Sequence, residues 1–206
     1  MNKISFKSTN DRIIRFSLKN DLLNSHKNDQ HTKIIEELGI THGAARVDLA
    51  VINGILHGYE LKSDLDTLYR LPEQMRLYNL VFDKITLVVG KNHLLDAIKL
   101  VPDWWGIKIA KILDPNGAVS FIDIREPEKN YFVDSVSMAR FLWRGEALNI
   151  LEKIKKADGM RSKPRKLIYE RLANVMDRDC LSAEVRRCLF SRVNWRVEKQ
   201  HMLNGD

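Results

Sequence analysis

Between Ala45 and Lys62 the chain alternates in a way that leaves few folds open to it. Val47, Leu49 and Val51 interleave with Asp48, Ala50 and Ile52, the two-residue period of a half-buried strand, and Asn53-Gly54 is the preferred two-residue hairpin turn. A second strand then covers residues 55–62. In an ideal two-residue hairpin Ile52 faces Ile55, which sets Asp48 opposite Tyr59 and sends Glu60 to the other face. One extra residue in the second strand instead brings Asp48, Glu60 and Lys62 onto one face and leaves Val47, Leu49, Tyr59 and Leu61 for the core. Gly58 is the residue type that marks such an insertion, so the pattern predicts a bulge near Gly58.

The rest of the chain reads coarsely around that hairpin. Ile13, Ile14, Leu18 and Leu22 recur on about one face of a helix over residues 11–23, and a strand fits 33–40 after a polar loop. Leu71-Pro72 opens a helix that runs to about Leu80, and the apolar run 85–89 ends at Gly90 as a buried strand does. The order is therefore αβββαβ. Residues 96–100 fall on another helix, while 107–113 and 119–124 read as two strands around a turn at Asp114-Pro115-Asn116-Gly117, an added hairpin. From Ser135 the pattern is helical. The chain is expected to divide into a core, 1–134, and a basic helical C-terminal region, 135–206, packed on it without a low-complexity linker.

Charge is unevenly placed. Residues 1–134 hold 18 Lys plus Arg and 18 Asp plus Glu, whereas 135–206 hold 16 and 9, so the whole net charge of +7 belongs to the C-terminal region. Its densest part, Arg161 to Lys166 around Ser162-Lys163-Pro164, with Arg186, Arg187, Arg192 and Arg196 beyond, has two readings: phosphate-neutralising groups, or solvated helix faces. Cys180 and Cys188 show no paired pattern, which argues against disulfides and zinc, and no apolar run suits a signal peptide or a membrane span. A cytoplasmic location is the expectation. His42 and His57 lack metal-ligand spacing, and Trp104-Trp105 reads as packing rather than as a base-stacking platform.

The hairpin face also carries chemistry. Two carboxylates can hold a hard divalent cation, and a lysine beside them can position or activate an attacking water, which together serve phosphodiester hydrolysis. Each residue has a plainer role as well: Asp48 as a strand-end turn former, Glu60 and Lys62 as the solvent face of an edge strand, Gln74 and Tyr78 as an exposed helix pair. Asp64, Asp66 and Arg70 either orient Lys62 or contact a phosphate, or else cap a helix start.

The segments Arg46-Val47-Asp48, Gly58-Tyr59-Glu60-Leu61-Lys62-Ser63-Asp64 and Gln74-Met75-Arg76-Leu77-Tyr78 resemble the PD-(D/E)XK, or restriction-endonuclease-like, nuclease superfamily. Within it the chain resembles a little-characterised bacterial and phage family with the pattern R-x-D-L-A, G-Y-E-[IL]-K-S-D-x-D-T, R-L-x-x-Q and later W-W-G. Leu142-Trp143-Arg144 and Val185-Arg186-Arg187 are similar to that family's tail. Val47 stands where the name-giving proline would be. The resemblance implies a restriction-endonuclease-like mixed sheet with αβββαβ order, and magnesium, with manganese as its substitute, where the motif strands cross. It implies Asp48 and Glu60 as metal ligands, Lys62 as the residue that assists the water, and Glu37 as the further ligand, with Glu36 and Asp11 as alternatives. Gln74 and Tyr78 would resemble the Q-x-x-x-Y element that positions the nucleic-acid backbone, joined by Arg46 and, from the basic region, Lys163, Arg165 and Lys166.

The expected activity is magnesium-dependent hydrolysis of DNA by a protein of a phage or mobile element. The alternatives are a non-catalytic nucleic-acid-binding protein on the same fold and a protein-interaction or inhibitor protein. Endo- or exonuclease action, an RNA substrate and a homodimer all stay open.

Overall fold

The computed structural model describes residues 8–112 and 118–192. The turn expected at 114–117 and Arg196 lie outside them. The first helix, α1 (Asp11–Ser25), starts where Asn10 Oδ1 accepts the amide of Ile13 at 3.0 Å, satisfying one of the free donors of a helix start. Six strands follow in one mixed sheet: β1 (Lys33–Ile40), β2 (Ala45–Ile52), β3 (Leu56–Lys62), β4 (Lys84–Gly90), β5 (Gly106–Ile112) and β6 (Val119–Arg125). They lie in sequence order. The β1–β2, β2–β3 and β5–β6 pairs are antiparallel, whereas β3, β4 and β5 run parallel. Parallel neighbours need crossovers, supplied here by α2 (Leu71–Tyr78) and α3 (Leu94–Leu100).

Both faces of the sheet are covered. Ile14, Leu18 and Leu22 of α1 pack on Leu49, Val51, Tyr59, Leu61, Val88 and Ala110. On the other face α2, α3 and four C-terminal helices share one core with Val47, Ala50, Ile52, Leu56, Leu87 and Val89. Those helices are α4 (Ser135–Ala139), α5 (Arg144–Lys153), α6 (Arg165–Val175) and α7 (Arg178–Ser191). Met138, Leu151, Ile168, Leu172, Leu181 and Val185 are buried in that core, so the C-terminal region is packed on the sheet as its apolar periodicity requires. Lys33 Nζ ties the two parts together, donating to the carbonyls of Leu189 (3.2 Å), Phe190 (2.8 Å) and Arg192 (2.5 Å) at the end of α7. A cation there satisfies orphan carbonyls. No described helix is long and apolar enough to cross a membrane.

The hairpin register differs from expectation in its cause. Leu49 pairs with Tyr59, Ala50 with Gly58, Val51 with His57 and Ile52 with Leu56, the one-residue offset that the site requires. The extra residue sits in the turn, however: Asn53, Gly54 and Ile55 form a three-residue loop in which Gly54 has φ +90° and the Asn53 amide donates to the Ile55 carbonyl. There is no bulge at Gly58. A Cβ there would stand 3.2 Å from the ring of Phe82, so Gly58 serves packing instead.

Several other expectations change. Glu60 and Lys62 are buried rather than on a solvent face, at 1% and 6% exposure. Val47 and Leu49 enter opposite cores, so the alternation of β2 breaks at Asp48. Opposite it on β1, Glu37 has φ +54° and the ladder omits this one pair. Trp105 is fully buried, its indole N–H donating to Asn79 Oδ1 at 2.8 Å, as the packing reading requires.

Candidate active site

Beyond Leu49 and Tyr59, β2 and β3 stop pairing, although β2 continues along β1 and β3 continues along β4. The strands part, and side chains fill the gap. Asp48 Oδ2 accepts the Leu61 amide at 2.8 Å, a bond that takes the place of the missing ladder. Strand alternation turns Tyr59 and Leu61 to α1 and Glu60 and Lys62 to the opposite layer, where α2 covers them.

The centre of the site is Glu60. Its Oε1 accepts from Lys62 Nζ and from Gln74 Nε2, each at 2.6 Å, and its Oε2 lies 2.8 Å from the Tyr78 hydroxyl. That hydroxyl is also 2.7 Å from the Arg46 carbonyl, and it has one proton for two acceptors. Protonation of Glu60 satisfies both, with the carboxyl donating to the phenol oxygen and the phenol to the carbonyl. Burial first, and the charge of Asp48 second, push the Glu60 carboxyl up to about 7, against the pull of Lys62. Burial also raises the Asp48 carboxyl, opposed by Arg15 and by the Leu61 amide. Burial and the charge of Glu60 raise the Tyr78 phenol, which keeps its proton. The two carboxylates thus destabilise each other's charge, an arrangement that an added cation relieves.

Arg15 of α1 is the residue that sequence reasoning missed. Its Nη2 donates to Asp48 Oδ1 at 2.6 Å and to Asp11 Oδ1 at 3.0 Å, and its Nη1 stands 3.9 Å from Glu37 Oε1. The available signal was an arginine next to the buried stripe of an amphipathic helix, four residues after an aspartate. Glu37 does not join the carboxylate pair. Its Oε2 takes Arg46 at 2.8 Å, and the expected third ligand is therefore held by two arginines. Glu36 pairs with Lys19 at 2.5 Å. Among the described residues no three His, Cys, Asp or Glu side chains are grouped to hold a metal. The donor set that remains is Asp48, Glu60 and Gln74 Oε1, which is buried and without a hydrogen-bond partner. Two carboxylates and an unmet amide oxygen are hard oxygen donors, and they suit a magnesium-type ion.

The other expected residues divide. Tyr78 is fully buried, a position from which it orients Glu60 rather than reaching a nucleic-acid backbone. Asp64 and Asp66 tie loops: Asp64 accepts from the Thr9 amide (2.9 Å), the Thr9 hydroxyl (2.8 Å) and the Asn92 amide (3.0 Å), and Asp66 accepts from the Ser63 amide (2.7 Å) and hydroxyl (2.6 Å). His57 bonds Thr86 Oγ1 through Nε2 at 2.9 Å, away from the carboxylates.

In the basic region, Arg186 approaches Asp83 (3.7 Å), Arg187 pairs with Glu184 (2.5 Å), and Arg192 is buried against Glu146 (2.5 Å) and the Trp143 ring. These three are structural. Lys163, Arg165 and Lys166 are exposed at the start of α6. The His42 ring stacks on Tyr169 of α6 with centroids 5.7 Å apart, which brings α6 to the β1–β2 turn, four residues before Arg46; burial first, and then Arg165 and Arg140, depress the His42 imidazole.

Residues 5–203 match the family model of bacteriophage P4 protein cII. The chain belongs to that family. It is 28% identical to Protein cII of Enterobacteria phage P4 over 118 residues, which are 57% of this chain and 44% of the phage protein. The match thus spans less than half the length of that curated relative. Among solved structures the chain is similar to SPO1766, a protein of unknown function from Silicibacter pomeroyi, at 17% identity and a TM-score of 0.38 over 66% of this chain and 86% of that one.

Proposed function

We propose that this protein is a metal-dependent nuclease that hydrolyses phosphodiester bonds of DNA, on a core of the restriction-endonuclease-like kind. One observation carries the reading: Asp48, Glu60 and Lys62 come together where β2 and β3 part, and Glu60 is held there by Gln74 and Tyr78. The αβββαβ order of α1 to β4 is consistent with it.

Asp48, Glu60 and Gln74 Oε1 would hold the ion. When bound, magnesium supplies charge to the phosphate and acidity to a water. Lys62 Nζ, anchored on Glu60 Oε1, keeps further N–H bonds for orienting the nucleophile. Tyr78 and Gln74 fix the carboxyl plane of Glu60, and the helices over it exclude bulk water, which strengthens every charge interaction at the site. Arg46, Lys163, Arg165 and Lys166 are the groups that would meet phosphates.

A second reading rests on Arg15. Its guanidinium on Asp48 Oδ1 supplies positive charge beside the carboxylates without any metal, as a non-catalytic nucleic-acid-binding protein on this fold would. The two readings separate in one experiment: cleavage of linear, circular and single-stranded DNA with magnesium, with manganese and with chelator, for the wild type beside Lys62→Ala and Asp48→Ala. Metal-dependent cleavage lost in both variants is expected. Salt-sensitive DNA binding without cleavage would favour the second reading.

A further inference from the structure

A groove of about 940 Å³ runs beside α1 and is lined by Arg12, Arg15, Phe16, Lys19 and Glu36, among others. Three features of it point one way. Phe16 is 68% exposed, an aromatic ring that the fold leaves in water although α1 buries Ile14, Leu18 and Leu22 on its other side. Arg12, four residues earlier, neighbours Phe16 on the helix surface and has no acidic partner among the described residues. Among the described residues the only acidic side chain lining the groove is Glu36, already paired with Lys19 at 2.5 Å. Lys19 is taken up by Glu36 and Arg15 by Asp11 and Asp48, so the positive charge that the groove offers a ligand is Arg12, beside an open aromatic face. Arg15 in its wall joins it to the site by donating to Asp48 at 2.6 Å; Asp48 itself does not line the groove.

We propose that this groove takes a single nucleic-acid strand, with an unpaired base stacked on Phe16 and a backbone phosphate on Arg12, and that it delivers that strand past Arg15 to Asp48. A base offers its face to a side chain only when it is outside a duplex stack, so the surface selects single-stranded segments or frayed ends over intact duplex. A basic helix face alone does not make that distinction; the exposed ring does. The rings at the site, Tyr59, Tyr78 and Trp105, are buried and are not available for stacking. The proposal deepens the nuclease reading by naming its substrate class, and it rests on nucleic acid being the ligand.

The test is fluorescence anisotropy of labelled oligothymidine and of a blunt hairpin duplex, with chelator present so that binding is read without cleavage. Wild type, Phe16→Ala, Phe16→Trp and Arg12→Gln are compared across a salt series. Both positions are exposed, so the variants keep the fold. Phe16→Ala is expected to bind the single strand roughly tenfold more weakly with an unchanged salt slope, because stacking releases no counterions. Phe16→Trp retains or improves affinity. Arg12→Gln lowers the slope of log affinity against log salt by about 0.7, one phosphate on a single strand. Duplex binding is indifferent to residue 16. If the wild type binds or cuts DNA while Phe16→Ala and Arg12→Gln change neither affinity nor slope, this proposal falls and the nuclease site stands. If no oligonucleotide binds to the wild type at all, both fall together.

Discussion

Lys62→Met is the most informative single change, because its cost depends on the charge state of Glu60. The Lys62 and Glu60 side chains are 7% and 2% exposed and meet at 2.6 Å, so solvent does little to screen them. The Glu60 carboxyl, raised from 4.5 to about 7, already costs the folded state about 3 kcal/mol to ionise, at about 1.4 kcal/mol per pKa unit. The sign follows from proton binding. Between pH 4.5 and 7 the unfolded chain releases this proton first, so the contribution of Glu60 to stability falls as pH rises and is level above 7.

Removing the ammonium deletes two of the interactions that hold the carboxyl down and leaves a buried charge without its partner. Breaking such a pair costs roughly 3–5 kcal/mol when the residual group stays ionised. Proton uptake by the unpaired carboxyl limits the loss at pH 8.5 to roughly 2 kcal/mol beyond that at low pH, from the pH units above 7 at about 1.4 kcal/mol each, so Lys62→Met should lose about 3 kcal/mol there. At pH 5, where Glu60 is neutral in both proteins, the loss should shrink to about 1 kcal/mol or less, the order of one net hydrogen bond. Urea unfolding at both pH values reads the difference, and Glu60→Gln combined with Lys62→Met should recover most of the loss at pH 8.5. An equal cost at the two pH values, or a small one at pH 8.5, would refute the claim that Glu60 ionises at the expense of stability and is held by Lys62.

Other outcomes follow from the same geometry. In Gly90→Ala the new Cβ would stand 2.5 Å from Asp64 Oδ1 and 2.6 Å from the Asp64 amide nitrogen, at the loop tie to Thr9 and Asn92; a loss of about 1–3 kcal/mol is expected, read as a lower thermal midpoint. Burial first, then the charges of Lys84 and Lys108, pushes His57 down to about 3. Its ring should not titrate in proton NMR between pH 8 and 5. The stability it contributes is complete above the unfolded value of about 6.5 and is lost as pH falls toward 3, so His57→Gln should flatten the acid limb of the stability profile. Arg15→Ala should lower the midpoint of the metal-free protein yet tighten magnesium binding in calorimetry, since a guanidinium at 2.6 Å competes with an ion for Asp48 Oδ1. Unchanged or weaker magnesium binding would show that Arg15 only orients Asp48.

What the sequence made legible is what local periodicity controls. The bounds of β1 and β2, the start of α2 at Leu71, the onset of helix at Ser135 and the αβββαβ order all follow from spacing and turn residues, and the structure has them. That Gln74 and Tyr78 share one helix face was legible from their i, i+4 spacing, but they were read as meeting a nucleic-acid backbone, and their hold on Glu60 was not legible. Arg15 was not legible either. Which helix crosses which strand, and at what height, is settled by long-range packing, and nothing in residues 11–25 states that Arg15 arrives at Asp48. The break in alternation at Glu37 and Asp48 was hidden for a related reason: a positive φ at a glutamate has no residue-type signature.

The hairpin shows how a correct register can rest on the wrong cause, and why the difference matters. An extra residue at Gly58 or in the 53–55 turn produces the same pairing of Leu49 with Tyr59, so the pattern of apolar positions does not distinguish the two. The physical consequences are different. A bulge at Gly58 would bend β3 next to the site and weaken its ladder with β4, whereas the turn insertion leaves β3 straight, with His57 through Lys62 in unbroken register against β4. Gly58 is then free to be small for Phe82, which packs edge-on against Tyr78 at 5.7 Å. Tyr78 in turn holds Glu60. The glycine reaches the carboxylate through two rings instead of through backbone distortion, and a side chain at position 58 would displace Glu60 without altering the register of the hairpin.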